Sequence, residues 1–165
     1  MGLALVKIIS GGQTGADFGA LTAARELGLQ TGGVAPKGWL TETGPQEAVL
    51  RSFGLIECEE EGYPSRTRRN VRDSDGTLLV GEYQTGGTRL TYETALALNK
   101  PLFLLACTNP AETPLDTERA AEFGEWLQRH HIQVLNVAGN RESERPGIAA
   151  FTRAFLLGAL RDRVA

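Results

Sequence analysis

Cysteine is scarce. The chain has two in 165 residues, Cys58 and Cys107, far apart and outside any CxxC spacing, so neither a disulfide framework nor a zinc site is indicated. No apolar run reaches the roughly 18 residues that a membrane helix needs. The apolar start, Met1 to Ile9, lacks the hydrophobic region and cleavage site of a secretory leader. Positive charge is not in excess either: 17 Lys+Arg against 20 Asp+Glu leave a net charge of −3, and no basic field draws in nucleic acid. There is no internal repeat and no low-complexity tract. These absences predict a soluble, cytoplasmic protein with neither membrane nor nucleic acid as partner.

Glycine is abundant instead, at 20 of 165 residues, against a background of roughly 7%. It follows no Gly-X-Y period, and an apolar share of 41% is too high for a disordered chain. The length suits one domain over residues 1–165.

Short apolar runs alternate with helical stretches. Strands are predicted at Leu5 to Ile9, Gly32 to Ala35, Leu55 to Glu59, Thr77 to Val80, Leu102 to Ala106 and Val134 to Ala138. Helices are predicted at Ala16 to Leu27, Ser65 to Arg72, Gly86 to Leu98, Thr117 to His131 and Gly147 to Leu160, with Asp116 as an N-cap. Pro36 to Gly54 reads as a long irregular loop, of the kind that is often functional. The alternation implies βαβ units: a three-layer, Rossmann-like α/β sandwich on a mostly parallel central sheet. Ligands of such sheets bind beyond the carboxyl ends of the strands.

Glycine clusters fall where that edge is expected. The first, Ser10-Gly11-Gly12-Gln13-Thr14-Gly15-Ala16-Asp17, leads from a strand into a helix, a context that offers amides to an anion. It is neither GxGxxG, because Ser10 stands at the first glycine and no acid closes the second strand, nor Walker A, because no Gly-Lys-Ser/Thr follows. A plain packing turn is the bland alternative. The second, Gly86-Gly87-Thr88, again opens a helix, with Glu93 five residues on; that acid faces a ligand or merely balances the helix dipole.

Among the four arginines before the fourth predicted strand, Arg66, Arg68 and Arg69 are read as a solvated face, offset by Glu59 to Glu61. Arg72, Asp73 and Ser74 enter the loop before that strand and are the stronger site candidates; Asp73 and Asp75 suit a hard metal with a phosphate or, equally, a turn around Gly76. Lys37 and Glu42 lie in the long loop, where Lys37 suits a phosphate or simply solvent. His130-His131 is read as a helix end. No nucleophile triad and no metal cluster is visible in the sequence.

As an ordered set, Ile9 to Asp17, Pro36-Lys37-Gly38, Asn70 to Thr77, Gly86-Gly87-Thr88 with Leu90-Thr91 and Glu93, and Asn136 to Gly139 resemble the molybdenum cofactor carrier proteins, the YpsA-related branch of the SLOG superfamily. The resemblance implies a Rossmann-like fold, a homo-oligomer (dimer or tetramer), and a pocket for a phosphate-bearing, nucleotide-like or molybdopterin-like ligand. The expected binding residues are Gly11, Gly12, Gln13, Thr14, Gly15, Asp17, Lys37, Arg72, Asp73, Ser74, Gly86, Gly87, Thr88 and Glu93. The related LOG-type phosphoribohydrolases carry PGGxGTxxE. Here the sequence reads Thr85-Gly86-Gly87-Thr88 with its acid at Glu93, two positions late. Three readings follow: a carrier of molybdenum cofactor or a similar nucleotide-like ligand; an enzyme cleaving a nucleoside monophosphate through Glu93 and Arg72; or a non-catalytic oligomeric scaffold.

Overall fold

The run Lys7–Ile9 forms β1 and leads into α1 (Ala16–Glu26) and β2 (Gln30–Ala35) in the computed structural model, which describes residues 2–164. Then come a two-stranded ribbon, β3 (Leu40–Thr41) and β4 (Gly44–Pro45), and the helix α2 (Glu47–Ser52). The remainder alternates strictly: β5 (Leu55–Glu57), α3 (Tyr63–Arg72), β6 (Gly76–Val80), α4 (Gly86–Ala97), β7 (Leu102–Leu105), α5 (Thr117–Arg129), β8 (Val134–Gly139) and α6 (Ile148–Leu160). The two terminal residues of the expected 1–165 domain lie outside the described residues.

Six strands form one sheet in the order β5-β2-β1-β8-β6-β7, and every pairing within it is parallel. The last strand, β8, therefore sits in the middle, between β1 and β6. Parallel strands buried on both faces need continuous apolar runs, and all five residues of β6 are buried. Helices α1 and α3 both pack on β2, yet α1 groups with α6, and α6 with α5, while α3 groups with α4. The two groups cover opposite faces, giving the three layers expected.

The main core joins Ile8, Leu78, Val80, Leu135 and Val137 of the strands to Phe123, Trp126, Phe155 and Leu156 of α5 and α6. Helix α1 contributes mainly small residues, Ala16, Ala20, Ala23 and Ala24. They let it lie close against α6: a Cβ on Gly19 would overlap the Ala149 carbonyl. Asp116 caps α5 by accepting from the Arg119 amide at 3.0 Å, as its sequence position predicts.

Pro36 to Gly54 is more ordered than expected. It holds a 3-10 turn at Lys37–Trp39, the β3–β4 ribbon and α2, and a second core cluster of Leu21, Ala35, Trp39, Leu50, Phe53 and Leu55 anchors it. A helix of six residues with Leu50 as its one buried side chain is too short to show a helical period.

The two ends of the sheet are tied differently. At the amino end, Asp75 accepts from the amides of Gln133 (3.0 Å) and Val134 (2.9 Å), locking β6 to β8. At the carboxyl end, the loops after β1, β2, β6 and β8 converge. Among the described residues no helix is long and apolar enough to cross a membrane.

Candidate functional site at the carboxyl edge of the sheet

The loop from β1 to α1 is not an open anion cradle. Gly12 donates to Ser10 Oγ at 3.3 Å, Thr14 to Gln13 Oε1 at 3.1 Å, and Ala16 to the Asn140 carbonyl at 3.2 Å. Two further amides, those of Gly11 and Gln13, point at the carboxylate of Asp17, with Gln13 N at 3.1 Å from Oδ2. Five amides of the expected phosphate cradle thus have protein partners. The anion they hold is the chain's own.

Asp17 lies in the first turn of α1 with its side chain 5% exposed. Burial pushes its carboxyl up to about 6, against the opposing pull of Arg66, the two loop amides and Arg141. Its ion partner is Arg66 of α3, with Nη1 3.6 Å from Oδ2, longer than a hydrogen bond. Among the described residues no acceptor stands within bonding distance of Arg66 Nε, which is buried. Burial first, and the like charge of Arg141 besides, hold this guanidinium below the usual arginine range, although Asp17, Tyr63 and Cys58 support its charge. A buried, under-paired cation asks for an anion. Expected as part of a solvated face, Arg66 is instead turned inward. A Cβ on Gly11 would overlap its Nη1, so the first glycine of the loop is what gives it room.

Two more elements complete this side. Arg141, just after β8, stacks its guanidinium 5.3 Å from the Tyr63 ring centroid, and Arg66 lies 5.2 Å from the same centroid, so one ring positions two cations. Opposite them, α4 begins without a side-chain cap: Thr85 Oγ1 donates to Glu82 at 3.0 Å, and among the described residues no side chain accepts from the first turn. The amides of Gly86, Gly87 and Thr88 have no intrahelical partner by geometry, and the helix dipole favours an anion there. Together Arg66, Arg141, Gly86, Gly87, Thr88 and Gln13 line a polar cavity of about 280 Å³.

A larger cavity of about 590 Å³ adjoins it and is mostly apolar, with Phe18, Val49, Leu50 and Ala149 in its walls. Gln13 lines both cavities. That residue is 6% exposed; its Oε1 accepts from the amides of Thr14 and Glu42, while its Nε2 has no partner among the described residues. Glu42, on the β3–β4 ribbon, clasps the apolar cavity shut along one side. Its carboxylate accepts from Thr14 Oγ1 at 2.5 Å, Ser143 Oγ at 2.6 Å and Ser143 N at 3.2 Å. Burial raises the Glu42 carboxyl, but the bonds from Ser143 and Thr14 outweigh it and hold the group below the usual range.

The expected site residues divide. Gly12, Gln13, Thr14 and Gly15 line the apolar cavity, and Gln13, Asp17, Gly86, Gly87 and Thr88 line the polar one; Gly11 shapes the seat of Arg66. Arg72, Asp73 and Ser74 do not belong. They follow α3 and precede β6, which places them at the amino end of the parallel sheet, opposite the cavities. There Arg72 and Asp73 pair with each other at 2.9 Å on the surface, Ser74 Oγ donates to the Val71 carbonyl at 3.0 Å, and Lys100 closes the turn by donating to the Arg72 and Ser74 carbonyls. Glu93 is also outside: it is exposed and paired with Arg89 one turn earlier at 2.7 Å. Lys37 is at the correct edge but exposed, 3.9 Å from Glu61, and lines neither cavity. Of the residues that complete the polar cavity, Arg66 is expected from the sequence on a solvated face, the stretch Asn136 to Arg141 is expected along this edge or at an oligomer contact, and Tyr63 is not singled out. The one signal for Arg66 is its spacing from Asn70, four residues on, whose buried amide bonds to Val34 N at 2.9 Å and to its carbonyl at 3.1 Å.

Fold and site together define a class: a doubly wound, Rossmann-like α/β protein with its cavities at the carboxyl edge, where the strand order reverses. The model of the circularly permutated YpsA SLOG family matches residues 8–160, and the chain belongs to that family. Its structure is similar to the crystal structure of the "Putative molybdenum carrier protein" from Syntrophus aciditrophicus SB. The two share 38% identity over 97% of this chain and 98% of the other, with a TM-score of 0.86. No curated protein matches the chain.

Proposed function

We propose that this chain binds a small, phosphate-bearing, nucleotide-like ligand across the two cavities. The anionic group goes between Arg66, Arg141 and the amino terminus of α4, and the ring system goes into the apolar cavity behind Gln13. The observation that carries this reading is the buried Arg66 guanidinium, whose Nε has no partner among the described residues and whose nearest ion partner, the Asp17 carboxylate, is 3.6 Å away. A hydrophobic cavity with a few converging polar groups is the common form of such sites.

Molybdenum cofactor is one ligand of this kind, and the carrier name of the Syntrophus protein favours it. The residues suit its organic part: a phosphate for Arg66 and Arg141, and a ring heteroatom for Gln13 Nε2. Among the described residues no group of three or more His, Cys, Asp or Glu converges as a metal site. A molybdenum atom carried here would keep the dithiolene sulfurs of its own pterin as ligands. The resemblance also supports a homo-oligomer in the cytoplasm. No observation favours the hydrolase reading, since both of its residues, Glu93 and Arg72, lie outside the cavities.

Native purification followed by mass spectrometry and metal analysis of the bound fraction tests the assignment. A pterin or nucleotide released from wild-type protein and absent from an Arg66→Ala preparation supports it. A nucleoside monophosphate panel that shows neither binding nor base release, together with a ligand-free preparation, overturns it.

A further inference from the structure

Asp17 occupies an unusual position for a carboxylate in a site built to attract anions. It draws on the same donors that an incoming anion needs: the Arg66 guanidinium at 3.6 Å, the Gln13 amide at 3.1 Å and the Gly11 amide. It also lines the polar cavity itself, beside Arg141 and the start of α4. Ionised, it neutralises Arg66 and repels a second anion. Protonated, it leaves a cavity with two guanidinium charges and no opposing carboxylate in the loop.

We propose that Asp17 is the residue that makes ligand binding proton-coupled: an anion enters the Arg66–Arg141 cavity together with one proton, taken up by the Asp17 carboxylate. The inference rests on the anion-binding reading above and specifies how that site is controlled. It also defines the ligand further. A phosphate ester carrying an acidic proton delivers both the charge and the proton, and is favoured over a fixed dianion at neutral pH.

The groups facing Asp17 are known from each element around it. Helix α3 presents Arg66 and Tyr63, with Cys58 just before that helix; the segment after β8 presents Arg141 and Glu144; α4 lines the cavity with the uncharged Gly86, Gly87, Thr88 and Thr91. The Glu42 carboxyl is held below its usual range by its hydrogen bonds from Ser143 and Thr14. His130 and His131 precede β8 and so lie at the amino end of the sheet, away from the cavity.

Sulfate is the suitable probe, because its charge is constant between pH 5 and pH 7. With the Asp17 carboxyl titrating at about 6, the binding-competent fraction falls from most of the protein at pH 5 to about one-eleventh at pH 7. Sulfate is therefore expected to bind about tenfold more tightly at pH 5 than at pH 7. Asp17→Asn, nearly isosteric and permanently neutral, is expected to bind at pH 7 as wild type does at pH 5, with no slope between. A wild-type affinity that is flat over this range, or an Asp17→Asn protein that keeps the slope, overturns the proposal. Should Asp17→Asn not fold, calorimetry on wild type in two buffers of different ionisation enthalpy decides alone. Uptake of close to one proton per sulfate at pH 7 supports coupling, and no uptake refutes it. Arg66→Ala separates the levels: flat binding that Arg66→Ala abolishes overturns only the coupling, whereas no sulfate binding to wild type at either pH overturns the anion site as well.

Discussion

Two residues show what position does to a side chain here. Gly11 needs no unusual backbone angle; its role is the space beside it, which the Arg66 guanidinium fills. A methyl there strikes the far end of a flexible side chain, not backbone, so the chain adapts by expelling the guanidinium. Gly11→Ala is therefore expected to weaken sulfate binding about tenfold or more, as the loss of a charge-assisted contact does, while costing about 1 kcal/mol or less in urea unfolding. Unchanged sulfate affinity would show that Arg66 is not the anion's partner.

Asp17 makes the second case. Its folded carboxyl titrates at about 6, raised from 3.8 by burial. Between these values the unfolded chain has released its proton and the folded chain has not. The group's effect on stability is therefore unfavourable as pH rises from about 4 to about 6, and level above that. The shift corresponds to about 3 kcal/mol. Asp17→Asn is expected to match wild type near pH 4 and to exceed it by about 3 kcal/mol at pH 7, read from urea midpoints across that range. A variant less stable than wild type at pH 7 would mean that the Arg66 attraction outweighs the burial of the charge.

At the scale of elements, the β3–β4 ribbon and α2 form one wall of the apolar cavity, and polar bonds pin the ribbon. Glu42 joins the ribbon to Thr14 in the first loop and to Ser143 in the last. Glu42→Ala removes that clasp and keeps the bond from the residue-42 amide to Gln13 Oε1 at 2.9 Å. Hydrogen exchange is expected to rise over residues 40–46 and 140–144 and not in β6 or β8. Because the Glu42 carboxyl is held below its usual range, its contribution is present at neutral pH and is lost as pH falls through its folded value. Exchange in the same segments of wild type should therefore increase on acidification below the usual carboxylate range, toward the Glu42→Ala pattern.

The whole molecule is organised by its last strand. β8 separates β1 from β6 and pairs with both, so it joins the three strands of the first half, β5-β2-β1, to β6 and β7, over one core that holds Ile8 together with Leu78 and Leu135. Unfolding in urea is accordingly expected to be a single cooperative transition. A chain ending at residue 131 loses β8 and α6, leaves the ladders of β1 and β6 open, and exposes the Phe123 and Leu78 side of the core. Circular dichroism without a cooperative melt is the expected result. A folded truncated chain would show that β1 and β6 can pair directly.

The alternation of apolar runs and helices was legible in the sequence, because buried parallel strands and amphipathic helices leave local periods that need no partner to be recognised. Hence every central strand and all helices but α2 were anticipated, and so were the glycine-rich turns at Gly11 to Gly15 and Gly86 to Gly87. The fate of individual charges was not legible. Arg66, Arg68, Arg69 and Arg72 occupy one short helix, and only its packing on β2 and α4 turns Arg66 toward Asp17 while leaving Arg72 at the far end of the sheet. Likewise the amides of the first glycine loop looked free until the first turn of α1 brought Asp17 beneath them. Local pattern determined which segments become strands, helices and turns. The direction in which each charge points, and so the chemistry of the site, was decided by tertiary contacts between residues such as 17, 66 and 141, whose separation along the chain carries no local signal.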